Sequence, residues 1–394
     1  MSAAQTSLWQ TERQGLLDAI ELTAMSLREY GERHRHWVMA YSGGKDSTAT
    51  VTVIDWLIAQ GRVPMPESLT ILYADTRMEL PPLQASATAV LARLEARGAT
   101  IKTVYPDLDK RMLVYILGRG VPPPKNRFRW CTRQLKIDPM VETQQALIEK
   151  HGEILLLTGV RVGESAARDQ RIAISCGKDG AECGQGWYQA QEFPGLNKLA
   201  PILHWRVCNV WDWLTGSEHG MAHGYPTAML AEAYGGDEAA EINARTGCMA
   251  CPLASRDVAL EAVVELPQWA HFKAVLRLRA LWEELRAPHF RLRKPDGRMG
   301  PLTFEARLYG LSYVLAIQDE VNALAEAKNL PGLDILNTEE HARILELIGN
   351  EQWPNGWTGG ERRGDDLYFR DANAGSDWMF QDELVLSEGL GGLA

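Results

Sequence analysis

Apolar positions along the chain fall into alternating strand-like and helix-like rhythms. Residues 8–30 place Trp9, Leu16, Leu17, Ile20, Ala24, Leu27 and Tyr30 at helical spacing, which predicts an amphipathic lead helix. A continuous apolar run from Trp37 stops at Ser42-Gly43-Gly44, and a new helical rhythm occupies residues 49–58. Residues 69–74 form a short apolar strand ending at Asp75, residues 83–94 a helix and residues 100–104 a strand. Residues 108–117 read as a further helix, and residues 154–158 as a buried strand before Gly159. Strands alternating with helices predict βαβ units, a mostly parallel sheet and an α/β fold, with ligands beyond the strand carboxyl ends. Asp46, Asp75 and Arg161 all fall at such ends. Residues 161–199 carry Gly177, Gly180, Gly184, Gly186 and Gly195 without clear periodicity, and read as an ordered functional loop. A helix restarts at 209–214, and the remainder is mainly helical, with long stretches within 258–285 and at 304–327. The expected organisation is an N-terminal helix over 1–35, a core domain over 36–220, and a mainly helical C-terminal domain over 221–394.

The stretch Ser42-Gly43-Gly44-Lys45-Asp46-Ser47 lies where a strand gives way to a helix. Glycines there permit φ > 0 and let main-chain N–H groups approach an anion. A helix opening at Asp46 or Ser47 adds unpaired donors and the positive end of its dipole. Lys45 supplies a mobile charge, and the Ser42 and Ser47 hydroxyls can complete a phosphate cradle. The GxxxxGK[ST] spacing of a Walker A loop is absent.

This segment resembles the PP-loop of the ATP pyrophosphatase superfamily, which includes sulfonucleotide reductases, tRNA-thiolating enzymes and ATP-dependent amide synthetases. The resemblance implies a parallel-sheet, adenine nucleotide alpha hydrolase-like (Rossmann-like) core that cleaves ATP between its α and β phosphates. Asp75-Thr76-Arg77-Met78-Glu79-Leu80-Pro81 resembles a DTG-x-E/x-P segment of the reductases, with Arg77 where glycine is usual. Asp75 is the candidate for Mg²⁺ or nucleotide contact, or else a helix N-cap. Gly159-Val-Arg161-Val-Gly-Glu164-Ser165-x2-Arg168 matches a G-x-R-x2-ES-x2-R motif of reductases and DNA phosphorothioation proteins, with Arg161 and Arg168 suited to phosphate capture and Glu164 to orienting them. Pro201-Ile-Leu-His-Trp205 resembles the segment that closes this core. Arg129-Trp-Cys131-Thr132-x3-Lys136-Ile-x-Pro139 is similar to the RWCT-x3-KI-x-P motif of phosphorothioation proteins of the DndC/SspD type.

The chain has six cysteines. Cys131 matches the first cysteine of a reductase pair, with Thr132 in place of the second, and Cys248-Met-Ala-Cys251 is a CxxC. Such a pair in a reduced compartment suits a metal better than a disulfide, and four thiolates would hold either an iron–sulfur cluster or Zn²⁺. The fourth ligand would come from Cys176, Cys183 or Cys208. The resemblance favours a 4Fe–4S cluster, with Cys183 completing the set and Cys176 as its rival.

Bulk composition narrows the reading. The chain has 394 residues, is 45% hydrophobic and 23% charged, and carries a net charge of −10, which argues against non-specific coating of nucleic acid. No run approaches a membrane span and no secretory h-region is evident, so a cytoplasmic, membrane-free protein is expected. Two local basic runs are mixed with aromatics. One comprises Lys125, Arg127, Arg129, Arg133 and Lys136 with Phe128 and Trp130; the other comprises Arg286, His289, Arg291, Arg293, Lys294 and Arg298 with Phe290. Both compositions suit a phosphate backbone with exposed bases; Arg127, Arg129, Arg133 and Lys136 of the first run are the expected nucleic-acid contacts, and the second run is as well read as a solvated loop face.

By resemblance, the leading reading is an ATP pyrophosphatase that adenylates a DNA backbone phosphate for sulfur insertion. Its partners would be DNA, a cysteine desulfurase as sulfur donor and other phosphorothioation subunits, within anti-phage defence. The alternatives are a sulfonucleotide reductase, which needs a mobile cysteine nucleophile although no cysteine follows Cys251, and a tRNA-thiolating enzyme.

Overall fold

In a computed structural model of the protein, the described residues are 15–126, 128–163, 166–175, 181–182, 186–216, 223–234, 247–254 and 256–365. The chain divides into two units. One comprises Met1–Tyr105, Lys136–Cys248 and Val258–Val263; the other comprises Pro106–Leu135, Met249–Asp257 and Val264–Ala394. The units interleave along the sequence, since residues 106–135 belong with the later part of the chain.

The first unit is built on a seven-stranded sheet. Helix α1 (Leu16–Ser26) leads into β1 (His36–Tyr41), α2 (Lys45–Ala59), β2 (Ser68–Ala74), α3 (Pro81–Glu95) and β3 (Thr100–Val104). Helix α4 (Asp138–His151) then precedes β4 (Ile154–Leu157), α5 (Ala166–Ser175), β5 (Ala181–Glu182), β6 (Trp187–Phe193) and β7 (Leu196–Ala200). Helices α6 (Val207–Thr215) and α7 (Ala228–Ala233) follow. The strand order is β3-β2-β1-β4-β7-β6-β5. From β3 to β7 every pairing is parallel, and β6 and β5 extend the sheet antiparallel. All four residues of β4 are buried, as expected of a central parallel strand covered on both faces. Val38, Leu72, Ile154, Leu156 and Leu196 form one core cluster with Leu147 of α4.

Strands β1 to β3 step outward in one direction, whereas β4 returns to the other side of β1. The order therefore reverses between β1 and β4, which is where open α/β sheets leave a ligand crevice at the strand carboxyl ends.

The second unit carries helix α9 (Arg277–Glu284), a three-stranded sheet of β8 (Arg291–Arg293), β9 (Met299–Leu302) and β10 (Arg362–Arg363), and helices α10 (Phe304–Lys328) and α11 (Thr338–Gly349). Thr303 and Asn337 cap α10 and α11 with their side chains.

Three expectations are corrected. Residues 161–199 are not one irregular loop: they hold α5 and a hairpin whose Gly195 adopts φ +81° between β6 and β7. The expected helical stretch at 258–285 breaks after α8 (Val258–Glu265) at Leu266-Pro267, where proline cannot continue the ladder, and resumes as a 3-10 segment at Ala270–Leu276 before α9. The region expected to be helical after residue 221 also contains the small sheet, whose strands are too short for an alternating pattern to register.

Candidate nucleotide site

The turn after β1 is shaped by two glycines with different roles. Gly43 has φ +73°, and a Cβ there would lie 3.2 Å from the Ala87 Cβ, so the fold itself requires glycine. Gly44 has an ordinary extended backbone, φ −80° and ψ 163°, and a Cβ would meet nothing closer than 3.4 Å. Its missing side chain is not needed by the turn and leaves room for a ligand. Helix α2 opens at Lys45, one residue before the expected start, and no side chain caps it. Its first-turn amides are donors of the kind that anions seek, although the Lys45 amide already meets the Tyr234 hydroxyl at 3.1 Å. The serines close the turn: Ser47 Oγ donates to the Gly44 carbonyl at 3.0 Å, accepts from the Ser42 amide at 3.2 Å and lies 3.1 Å from Ser42 Oγ.

Across the β1/β4 reversal stands Arg161. Its Nε donates to Asp46 Oδ1 at 2.7 Å and its Nη1 to the Trp205 carbonyl at 3.1 Å, with the guanidinium almost fully buried. Asp46 also faces Lys45, whose Nζ lies 3.2 Å from Oδ2. Trp205 is held in turn, because its indole N–H donates to Thr23 Oγ1 at 2.9 Å and the Ala19 carbonyl at 3.1 Å on α1. The lead helix thus fixes the carbonyl that orients Arg161. Gly159 completes the seam: a Cβ there would come within 3.0 Å of the Asp46 carbonyl group and the Ser47 amide nitrogen. Only glycine lets the β4 end approach α2 this closely.

Beyond β2, Asp75 is buried and accepts a hydrogen bond from the Arg77 amide at 2.7 Å in a tight turn, with Arg77 at φ +61°. It is not a helix N-cap, because α3 starts at Pro81 with Leu80 in that position. Glu79 accepts from Thr76 Oγ1 at 2.7 Å and the Met78 amide at 3.1 Å. Burial raises the Glu79 carboxyl above its ordinary value and Asp75 adds to this, while the Thr76 hydroxyl and the Lys136 ammonium oppose it. Lys136 thus acts electrostatically on Glu79. The buried Tyr73 hydroxyl has no hydrogen-bond partner among the described residues, and burial raises its pKa.

Several expected site residues are not tested by this geometry. Arg127, Glu164, Ser165, Cys176 and Cys183 lie outside the described residues, and of Arg168 only the backbone, within α5, is described. Among the described residues, no three His, Cys, Asp or Glu side chains group as metal ligands, and the fourth thiolate of the expected set, Cys183 or its rival Cys176, lies outside them. Cys131, Cys208, Cys248 and Cys251 form no disulfide among the described residues and are half-buried. Burial raises the Cys131 thiol above its ordinary value and the nearby Cys251 sulfur adds to this, while hydrogen bonding at Thr132 opposes it. For Mg²⁺ the requirement is smaller, one or two carboxylates beside substrate phosphates, and buried Asp75 fits it.

The basic runs separate. Arg129, Arg133 and Lys136 are exposed, Arg129 donates to Asn126 Oδ1 at 2.9 Å, and Phe128 is 44% exposed. Trp130 is anchored by its indole N–H on the Pro122 carbonyl at 3.2 Å and by the Tyr115 ring at 4.6 Å. In the run at 286–298 three cations are bound into the fold, while His289 and Arg298 are exposed. Arg286 donates to the carbonyls of Pro124 and, at 3.1 Å, Pro252, and Arg291 donates twice to Gly300 at 2.8 and 2.7 Å. Arg293 is buried. Sequence reasoning missed Tyr234, whose hydroxyl meets the Lys45 amide at 3.1 Å, and no motif marks it.

A parallel sheet with a glycine turn, an uncapped helix N-terminus and a paired arginine at its reversal point defines a nucleotide-phosphate-binding α/β protein. The sequence profile of the phosphoadenosine phosphosulfate reductase domain matches residues 36–252, and the chain belongs to that family, within the PP-loop superfamily. An uncharacterized protein of Methanocaldococcus jannaschii is 24% identical over 215 residues, 55% of this chain; the match spans 41% of that relative's length. The phosphoadenylyl-sulfate (PAPS) reductase of Candida auris, solved as a phosphate complex, is 12% identical with a TM-score of 0.32, covering 52% of this chain and 88% of that one. The U34-tRNA thiolase NcsA of Methanococcus maripaludis, solved with its 4Fe–4S cluster, is 14% identical with a TM-score of 0.35, covering 68% of this chain and 79% of that one. Among the described residues, no helix is long and apolar enough to cross a membrane.

Proposed function

We propose that this protein is an ATP pyrophosphatase that activates a DNA backbone phosphate for sulfur insertion. The observation that carries the ATP half is the pairing of Asp46 with buried Arg161 across the strand reversal, beside the uncapped amides of α2. In this reading a non-bridging oxygen of the DNA phosphate attacks the α-phosphorus of ATP. The α–β bond breaks and pyrophosphate leaves. A sulfur nucleophile then attacks the adenylated DNA phosphorus and expels AMP. Lys45 and the loop amides stabilise charge on the departing pyrophosphate, and Asp46 holds Lys45 and Arg161 on either side of it. Asp75 would help hold Mg²⁺, which supplies further charge neutralisation at the phosphates.

The DNA half is supported by the exposed run Arg129, Arg133 and Lys136 with Phe128, and by the motif resemblance there. Sulfur would come from a cysteine desulfurase, with other phosphorothioation subunits as cytoplasmic partners. Product analysis with labelled ATP tests the first half: AMP and pyrophosphate are expected, and Lys45→Ala is expected to lose about 10²-fold in turnover. Formation of only ADP and phosphate overturns the assignment. Thiol-dependent sulfite release from a sulfonucleotide, the reaction named by the family, would replace DNA as the substrate while leaving the phosphate site in place.

A further inference from the structure

Tyr234 belongs to none of the recognisable motifs, yet it touches the centre of the phosphate loop. Its hydroxyl accepts the Lys45 backbone N–H at 3.1 Å, from a position 189 residues along the chain. Its ring lies 5.3 Å from the Lys45 ammonium. The ring is held edge-on by Trp211 of α6 at 5.3 Å, and Tyr234 is itself buried. Helix α2 has no side-chain cap, so the Lys45 amide is among the donors that a phosphate oxygen would take. The phenol oxygen stands on that donor. It also lies over the open face of Gly44, 3.4 Å from where a Cβ would be, in the space that glycine leaves for a ligand.

We propose that Tyr234 is a positioning residue of the phosphate loop: its ring fixes the Lys45 ammonium, and its hydroxyl occupies the Lys45 amide until a nucleotide phosphate displaces it. The inference rests on the reading of residues 42–47 as an ATP site. The exchange is favourable because a phosphate oxygen is a charged acceptor and forms roughly twice as strong a hydrogen bond as a neutral phenol. The ring contact needs no hydroxyl, so it persists after the exchange and keeps Lys45 directed at the phosphates. The empty loop is thereby kept ordered without a bound anion, at the cost of weaker nucleotide binding.

The two roles separate by substitution in the full chain. Tyr234→Phe keeps the ring and removes the competing acceptor, so the Kd for pyrophosphate and for a non-hydrolysable ATP analogue should fall by about twofold to tenfold. The effect should be concentrated in KM. Tyr234→Leu removes the ring as well, and its effect should be concentrated in kcat, with a loss of about threefold to thirtyfold. Thermal melting of both variants checks that they are folded. Weaker nucleotide binding by a folded Tyr234→Phe would mean that the hydroxyl is a nucleotide contact, and unchanged binding would mean that it is not in the way; either result overturns the proposal. If the wild-type chain binds neither pyrophosphate nor the ATP analogue, the ATP reading of the loop fails first, and this inference with it.

Discussion

The segments 125–136 and 286–298 are nearly indistinguishable in composition, each a run of arginine, lysine and aromatic residues, yet their cationic heads meet opposite fates. In the first, Arg129, Arg133 and Lys136 are exposed beside a half-exposed Phe128. In the second, Arg286 and Arg291 lie against the carbonyls of Pro124, Pro252 and Gly300, and Arg293 is buried. Carbonyls in proline-containing loops, or in a strand such as β9 whose pairing with β8 shifts register, lack full ladder partners, and a guanidinium with five donors can satisfy several at once. Burial lowers the Arg286 pKa and pushes Arg291 down to about 10, so Arg291 stays charged at neutral pH. A basic cluster thus marks a ligand surface only where the backbone around it has no unmet acceptors.

The largest expected effect tests the buried side of this contrast. Arg291→Ala leaves the Gly300 carbonyl without its two charged donors and should lower unfolding free energy by about 3 kcal/mol, whereas Arg133→Ala should stay within about 0.5 kcal/mol. Equal urea midpoints for the two variants would erase the distinction. The exposed side is tested by DNA binding at graded salt: Arg129→Ala and Arg133→Ala should each reduce the slope of log K against log salt by about one, and Lys294→Ala should leave it unchanged. A slope that responds to Lys294 instead would move the contact face to the second run.

The smallest effect concerns an arginine paired with a carboxylate. Arg343 makes a two-pronged contact with Asp109, Nε to Oδ1 at 2.7 Å and Nη2 to Oδ2 at 2.9 Å, and holds the Asp109 carboxyl below its ordinary 3.8. A depressed folded pKa contributes stability above the ordinary value and loses it as pH falls through the depressed one. Both side chains are partly exposed, so the contribution should be under about 1 kcal/mol. The stability gap between wild type and Arg343→Ala should therefore be constant above about pH 4 and close in stronger acid. A gap that persists into strong acid would assign the effect to packing of the arginine stem.

What the sequence made legible follows from how local the physics is. The parallel strands are continuous apolar runs, and the loop at 42–47 has its own backbone chemistry, so both could be read before folding. Gly159 was legible as a motif position, but its reason, contact with the Asp46 carbonyl, requires the sheet. The hairpin β6–β7 was hidden because its glycines suggest a loop and its two strands differ in pairing direction. The sites of Arg286 and Arg291 were illegible, since carbonyl acceptors belong to no residue type. Tyr234 was illegible because nothing local to it refers to Lys45.

The central position of β4 also sets an order in time. Its backbone is bonded on one edge to residues 37–39, far earlier in the chain, and on the other to residues 196–199. Such non-local pairing must overcome the entropy of closing long loops, so it forms late relative to the local turn and helix at 42–59. During synthesis the glycine turn and α2 therefore emerge well before Arg161, which lies 115 residues after Asp46. A growing or misregistered chain carries the anion-binding amides without the arginine that completes them. The pairing of Arg161 with Asp46 thus arrives as a late folding event, coincident with closure of the sheet.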